Sequence, residues 1–250
     1  MGDGIYTALT GAMAQQHALD IVANNVANAQ TVGFRGDRAV FGELVRNTGG
    51  RVSNPPGLPK PDRFVEVPSV VRDVSDGSLR RTGNPLDLAL QGDGFFVVRT
   101  DEGDQLTRAG TFLVNPEGTL ITHEGAMVLG ADAKPIRIPT NTADIKVSAS
   151  GEITSGDQHV AQLLLATVSD PMNLRKAGNS TLEGPADGKL GRATNVEVAQ
   201  GFLEVSNVNA VAGLNELIAV NRTFDALQKA IETFNKMDER CARELGARAG

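Results

Sequence analysis

The chain has 250 residues, enough for one large domain or two small ones. Its 30 Asp and Glu outweigh 24 Lys and Arg, and no basic stripe breaks the acidic balance, so nucleic acid is not an expected partner. A single cysteine, Cys241, excludes a disulfide within the chain and reads as a small apolar residue on a helix face.

In chain order, the first periodic segment is a helix predicted over residues 4–29, about 40 Å long at 1.5 Å per residue. Ile5, Leu9, Ala12, Gln16, Leu19, Ala23 and Val26 recur at alternating steps of four and three, the a/d spacing of a coiled-coil seam. The stretch "NNVANAQTVGF" (24–34) closes it. Four amides, Asn24, Asn25, Asn28 and Gln30, crowd the last turns, and Thr31 to Phe34 read as a turn in which Gly33 supplies a positive φ. A plain helix stop accounts for the glycine but not for the density of amides. The N-terminus has no basic segment followed by a continuous apolar run, so no cleaved signal peptide is expected. No stretch of the chain approaches the roughly 18 apolar residues of a membrane span.

"NTGGRVSNPPGLPKPD" (47–62) reads as a Gly/Pro linker. From Phe64 to about Val168 the signals become those of short strands. "PLDLALQGDGFFVVR" reads as strand, Asp-Gly turn, strand. Further turn signals follow at Glu102-Gly103, Ala109-Gly110, Glu117-Gly118, Glu124-Gly125, Ser150-Gly151 and Ser155-Gly156. Their spacing predicts an antiparallel β domain.

A second loose stretch, "AGNSTLEGPADGKLGRATN" (177–195), leads to a longer helix, for which Ser206 or Asn207 is the expected N-cap. Leu217, Val220, Phe224, Leu227, Ile231, Phe234, Asp238, Cys241 and Leu245 form a second 3-4 stripe that only Asp238 breaks. The acid-before-base pairs Asp225/Lys229, Glu232/Lys236 and Glu239/Arg243 support an exposed opposite face. The two striped helices can pair as an antiparallel hairpin, pack with neighbouring copies, or cover one face of a sheet. Periodicity does not separate these.

No catalytic constellation emerges. Gly92-Asp93-Gly94 is followed by a strand, whereas a dinucleotide loop needs a helix N-terminus there. His17, His123 and His159 are isolated, and "DEGD" (101–104) lacks the alternating ligands of a calcium loop. No cofactor, metal or enzymatic activity is expected.

Three blocks carry a resemblance. "NNVANAQTVGFR" resembles the N-terminal signature of the bacterial flagellar rod, hook and hook-associated proteins, an Asn-Asn-Leu-Ala-Asn core followed by Thr-x-Gly-Phe-Lys/Arg; Val26 replaces the usual Leu and Arg35 closes it. "TGNPLDLALQGDGFFVVRT…LTRAGTFLVNPEGTLITHEGAMVLG" (82–130) resembles their central segment. Residues 198–239 resemble their C-terminal signature, with Gly201, Glu204, Ser206, Asn207, Val208 and Asn209 matching Gly-x-Leu-Glu-x-Ser-Asn-Val-Asn. One departure is "AVAGLNELIAVNR", where Gly213 is expected to loosen the helix locally. The length, and the short segment before "TGNPLDLA", are similar to the proximal-rod member; the distal-rod member is the alternative.

The resemblance implies an α+β fold: N- and C-terminal helices form a coiled-coil domain around an inserted antiparallel β-rich domain. The expected boundaries are 1–46 for the N-terminal arm, 47–63 for the linker, 64–195 for the β-rich domain and 196–250 for the C-terminal arm. It implies a structural subunit of the rod, which builds the hollow shaft that transmits torque and lines the export channel. The implied partners are other rod subunits, copies of itself and the flagellar type III export apparatus, and the implied location is the rod within the periplasm. Subunit contacts are expected at Ile5, Leu9, Leu19, Asn24, Asn25, Val26, Asn28, Gly33, Phe34, Ser206, Asn207, Val208, Asn209, Leu217, Val220, Phe224, Leu227, Ile231 and Phe234. A cell-wall glycan-binding module is the reading from a different class.

Overall fold

A computed structural model describes residues 2–40, 43–45, 63–65, 69–139, 145–156, 158–168, 174–178, 180–184, 191–193 and 195–248, and among them are two long helices and nineteen short strands. The fold class is α+β. Apart from Arg63, the linker expected at 47–63 lies outside the described residues, as does the side chain of Cys241. Contacts divide the chain into two units. One comprises residues 1–26, 37–71 and 210–250; the other comprises 27–36 and 72–209.

The first unit is dominated by α1 (Gly2–Ala27) and α2 (Ala210–Arg248). It also holds two-stranded pairings of Asp37–Val40 with Ser69–Arg72 and of Glu43–Val45 with Arg63–Val65. α2 starts after Asn209, which takes the N-cap position expected of Ser206 or Asn207. The C-terminal arm therefore starts later than residue 196. Glu197–Gln200 and Phe202–Glu204 are strands, paired with Leu88–Gln91 and Leu79–Arg81, and they belong to the β unit.

The β unit is antiparallel throughout its pairings. Its largest sheet has eight strands, with Phe95–Thr100 at the centre flanked by Gly103–Thr107, Met127–Val128 and Leu165–Thr167. Phe95, Phe96, Val97 and Val98 are all buried, and alternate residues point to opposite faces. Phe96 and Val98 enter a cluster with Leu88, Phe112, Leu120 and Ile153, while Phe95 and Val97 enter a second with Leu106, Leu129 and Leu182. Phe96 and Phe112 meet edge to face, with ring centroids 5.1 Å apart. A run of four apolar residues is what a strand covered on both faces requires.

Two local expectations change. Leu88–Gln91 and Phe95–Thr100 flank the Gly92-Asp93-Gly94 turn, but they do not pair with each other: Leu88–Gln91 joins Glu197–Gln200 instead. The stretch 177–195 is not wholly loose, because Thr181–Glu183 pairs with Gly103–Thr107 and Gly191–Arg192 with Leu165–Thr167. Of the six turn glycines expected after residue 100, five adopt positive φ. Gly110 does not. It is needed for close approach, since a Cβ there would lie 1.6 Å from the Leu88 carbonyl oxygen.

Candidate assembly surface

α1 and α2 lie antiparallel. A Cβ built on Gly4 would touch the Phe234 ring at 3.5 Å, and one on Gly11 would touch Leu227 at 3.6 Å. A Cβ on Gly213 would fall 2.7 Å from Val26 Cγ2. Each step up α1 thus matches an equal step down α2. The buried face of α1 is made of small residues: Ala8, Ala12, Ala14 and Ala18 are buried with Ile21 and Val22. Phe234 and Leu227 of α2 reach the Gly4 and Gly11 positions of α1 at van der Waals distance. Leu217, Val220, Phe224, Leu227, Ile231 and Phe234 are the half-buried line of α2, as the stripe predicted. Gly213 does not loosen the helix. α2 runs through it unbroken, and the missing side chain leaves room for Val26.

The α1 stripe is rotated from its predicted place. Ile5, Leu19, Ala23 and Val26 are half-buried and Ala12 is buried, but Leu9 and Gln16 are exposed. Leu9 joins Tyr6 and Met13 on an outward face; Leu9 is 45 % exposed and the other two are about 60 % exposed. On α2, Val211, Leu214 and Ile218 form a comparable exposed line at steps of three and four. Counting along the antiparallel pair, these two lines sit at opposite ends of the hairpin. Asp3 and Asp20 are the only Asp, Glu, Lys or Arg residues among the 26 of α1. α2 continues past Phe234, where α1 has run out, so Asp238 is exposed on an intact helix rather than at a frayed end.

The amides have partners within the chain. Asn25 Nδ2 donates to the Asp37 carbonyl at 2.7 Å, and the Asp37 N–H donates to Asn25 Oδ1 at 3.0 Å, a side-chain imitation of strand pairing. Thr31 donates to Asn28 through both its backbone N–H and its hydroxyl, at 3.0 and 3.2 Å. Asn24 is exposed. In the β unit, Asn207 Oδ1 accepts from the Gly36 N–H at 2.9 Å while its Nδ2 reaches the Asp73 and Ser75 carbonyls at 3.2 Å. Ser206 Oγ accepts from the Val208 N–H. Asn209 is exposed.

Gly33 has φ of 68°, and its N–H donates to the Glu204 carbonyl at 2.8 Å. A Cβ there would come within 2.3 Å of the Ala109 backbone nitrogen, so only glycine fits. The turn sends Phe34 inward, where it is 2 % exposed and the Lys176 ammonium lies 4.4 Å from its ring centre. Arg35 follows into a buried charge network that sequence reasoning missed. Its guanidinium donates to Asp76 Oδ1 at 2.6 Å, to Glu204 Oε1 at 3.4 Å and to the Val74 carbonyl. Arg108 donates to Glu204 Oε2 at 3.2 Å and to the Gly92 carbonyl at 2.6 Å, and stacks over Phe95. Glu204, 2 % exposed, also accepts from the Gly77 N–H at 3.1 Å. Burial lowers the pKa of Arg108, and the neighbouring Arg35 charge adds to that; Glu204 and Asp76 oppose it. Arg35 and Glu204 both stand in the signature blocks, but nothing in a linear motif shows that its charges are buried together.

No group of three or more His, Cys, Asp or Glu among the described residues could hold a metal ion. A groove of about 330 Å³ is lined by hydroxyl side chains, including Thr31, Thr107, Thr111 and Thr181, with His123 and Glu124.

Three family models match separate parts of the chain: a flagella basal body rod protein model at residues 5–35, a flagellar hook protein FlgE/F/G D1 domain at 89–155, and a flagellar basal body rod FlgEFG protein C-terminal model at 199–244. A flagellar basal-body rod protein FlgF of Mesorhizobium japonicum is 34 % identical over 250 residues, covering all of both chains. The chain belongs to the flagellar basal-body rod protein family. The FlgF of Caulobacter vibrioides is 31 % identical over 98 % of this chain and 99 % of its own. A FlgG of Bacillus subtilis is 30 % identical over 93 % and 95 %. The family models for the two ends take in most of α1, the turn at Gly33 to Arg35, and α2 as far as Glu244.

Proposed function

We propose that the chain is a FlgF-type structural subunit of the proximal flagellar rod, with the helical hairpin as its assembly element. The observation that carries this is the pair of exposed apolar lines, Tyr6–Leu9–Met13 and Val211–Leu214–Ile218, at opposite ends of one hairpin. Contiguous exposed apolar stripes on helices are interaction surfaces. Two different lines on one molecule suit a head-to-tail contact, which repeats into a helical filament rather than closing into a dimer. In the assembled shaft, neighbouring hairpins pack as a coiled-coil wall around the export channel and the β unit faces outward. The half-buried residues Leu217, Val220, Phe224, Leu227, Ile231 and Phe234 then become fully covered. The subunit leaves the cell through the flagellar type III export apparatus and takes its place in the periplasmic part of the basal body, with other rod subunits and copies of itself as partners. It carries no catalysis. The full-length coverage by FlgF relatives supports the proximal position over the distal one, because the FlgG match is gapped over 261 aligned positions.

Cysteine pairs test this in purified basal bodies. Met13→Cys combined with Leu214→Cys, in a Cys241→Ala background, should cross-link subunits to one another. Wild-type motility together with no cross-link between any pair drawn from the two lines would overturn the head-to-tail contact.

A further inference from the structure

Within the β unit, a cavity of about 20 Å³ is lined by Gly33, Arg35, Arg72, Phe95, Arg108, Lys176, Ser180 and Leu182. Four of the eight lining side chains are cationic. Both arginines line it, and their Nε–H groups are buried with no hydrogen-bond acceptor among the described residues, although the rest of each guanidinium is engaged with Glu204 and Asp76. Both side chains are more than nine-tenths buried. A buried donor of this kind is costly unless something accepts from it.

We propose that this cavity binds one small monovalent anion of chloride size, held by the Nε–H groups of Arg35 and Arg108. The volume is that of a single water-sized sphere. A water would accept from both arginines but would then have to donate two hydrogens of its own. Among the side chains of the described lining residues, Arg and Lys offer no lone pair and Ser180 carries the only hydroxyl. A halide has no hydrogens to place and satisfies donors alone. Its charge is favoured by the cationic side chains of Arg35, Arg72, Arg108 and Lys176 on the lining. Bound there, it ties the turn that follows α1 to the strand end at Arg108. This inference stands on the cavity and does not depend on the rod reading.

The test uses the full chain in buffers of constant ionic strength, with chloride or bromide replacing gluconate. Halide should raise Tm saturably by about 2–4 °C. Arg35→Lys keeps the charge, removes the Nε–H and should abolish the halide dependence. Crystals soaked in bromide should show an anomalous peak within hydrogen-bond reach of both Nε atoms. The bromide peak decides the matter if Arg35→Lys does not fold. No halide-specific shift in the wild type, an unchanged shift in a folded Arg35→Lys, or no bromide peak in the cavity would each overturn the proposal.

Discussion

The helical hairpin and the β unit bury their apolar side chains to very different extents. In the β unit, Phe96, Val97, Val98, Leu106, Phe112 and Leu129 have no exposed surface at all. In α2, among the positions whose burial is described, only Gly213 is buried, and the predicted seam is covered halfway. A two-helix hairpin has a single interface, so each helix leaves most of its circumference in water. The β unit closes two cores around one sheet and is complete within the chain. The hairpin leaves its predicted seam half in water.

Substitutions can break that contrast, beginning with the β core. Phe96→Ala removes a ring from the centre of the larger cluster and should cost about 3–5 kcal/mol, read as a lowered midpoint in denaturant. A loss under 1 kcal/mol would mean that the β unit is no better packed than the hairpin. Glu204→Ala should cost about 3 kcal/mol, because it strands two buried guanidinium groups. Urea titration followed by circular dichroism checks it, and Arg35→Met/Glu204→Leu/Arg108→Met should recover most of the loss.

Phe224→Asp tests the hairpin. Its charge enters a half-buried seam and should cost about 2 kcal/mol there while leaving hydrogen exchange in residues 95–130 unchanged. A chromosomal strain carrying it should not swim; full motility would sink the assembly role of the seam. Gly213→Ala sharpens the comparison through its sign. Alanine favours a helix by about 1 kcal/mol, but a Cβ 2.7 Å from Val26 pushes the helices apart. A packed hairpin should therefore lose about 1 kcal/mol net, whereas an unpaired α2 in the isolated chain should gain helicity by circular dichroism. Asp238→Leu should change stability by less than about 0.5 kcal/mol, since residue 238 is exposed and extends beyond the start of α1. A larger thermal shift in dilute chain would show that the α2 overhang folds back on its own molecule.

Much of this was legible in the sequence. Periodicity located both helices to within a few residues, because an a/d stripe is a local pattern that a helix reads directly. Turn glycines located the hairpins of the β unit, because a positive φ is a local demand. The signature blocks pointed to the family through residues whose neighbours in space they did not reveal.

The tertiary structure decided which face of α1 is covered: the one carrying Ala8, Ala12, Ala14, Ala18, Ile21 and Val22, not the one carrying Leu9 and Met13. It also decided that Leu88–Gln91 pairs with Glu197–Gln200 across more than a hundred residues rather than with its sequence neighbour. It brought Arg35, Arg108 and Glu204 from distant segments into one buried network, with the exposed Asp76 at its edge. Conformation that depends on nearby residues is written in the sequence. Pairing and charge burial depend on which distant segments meet, and only the folded chain sets that.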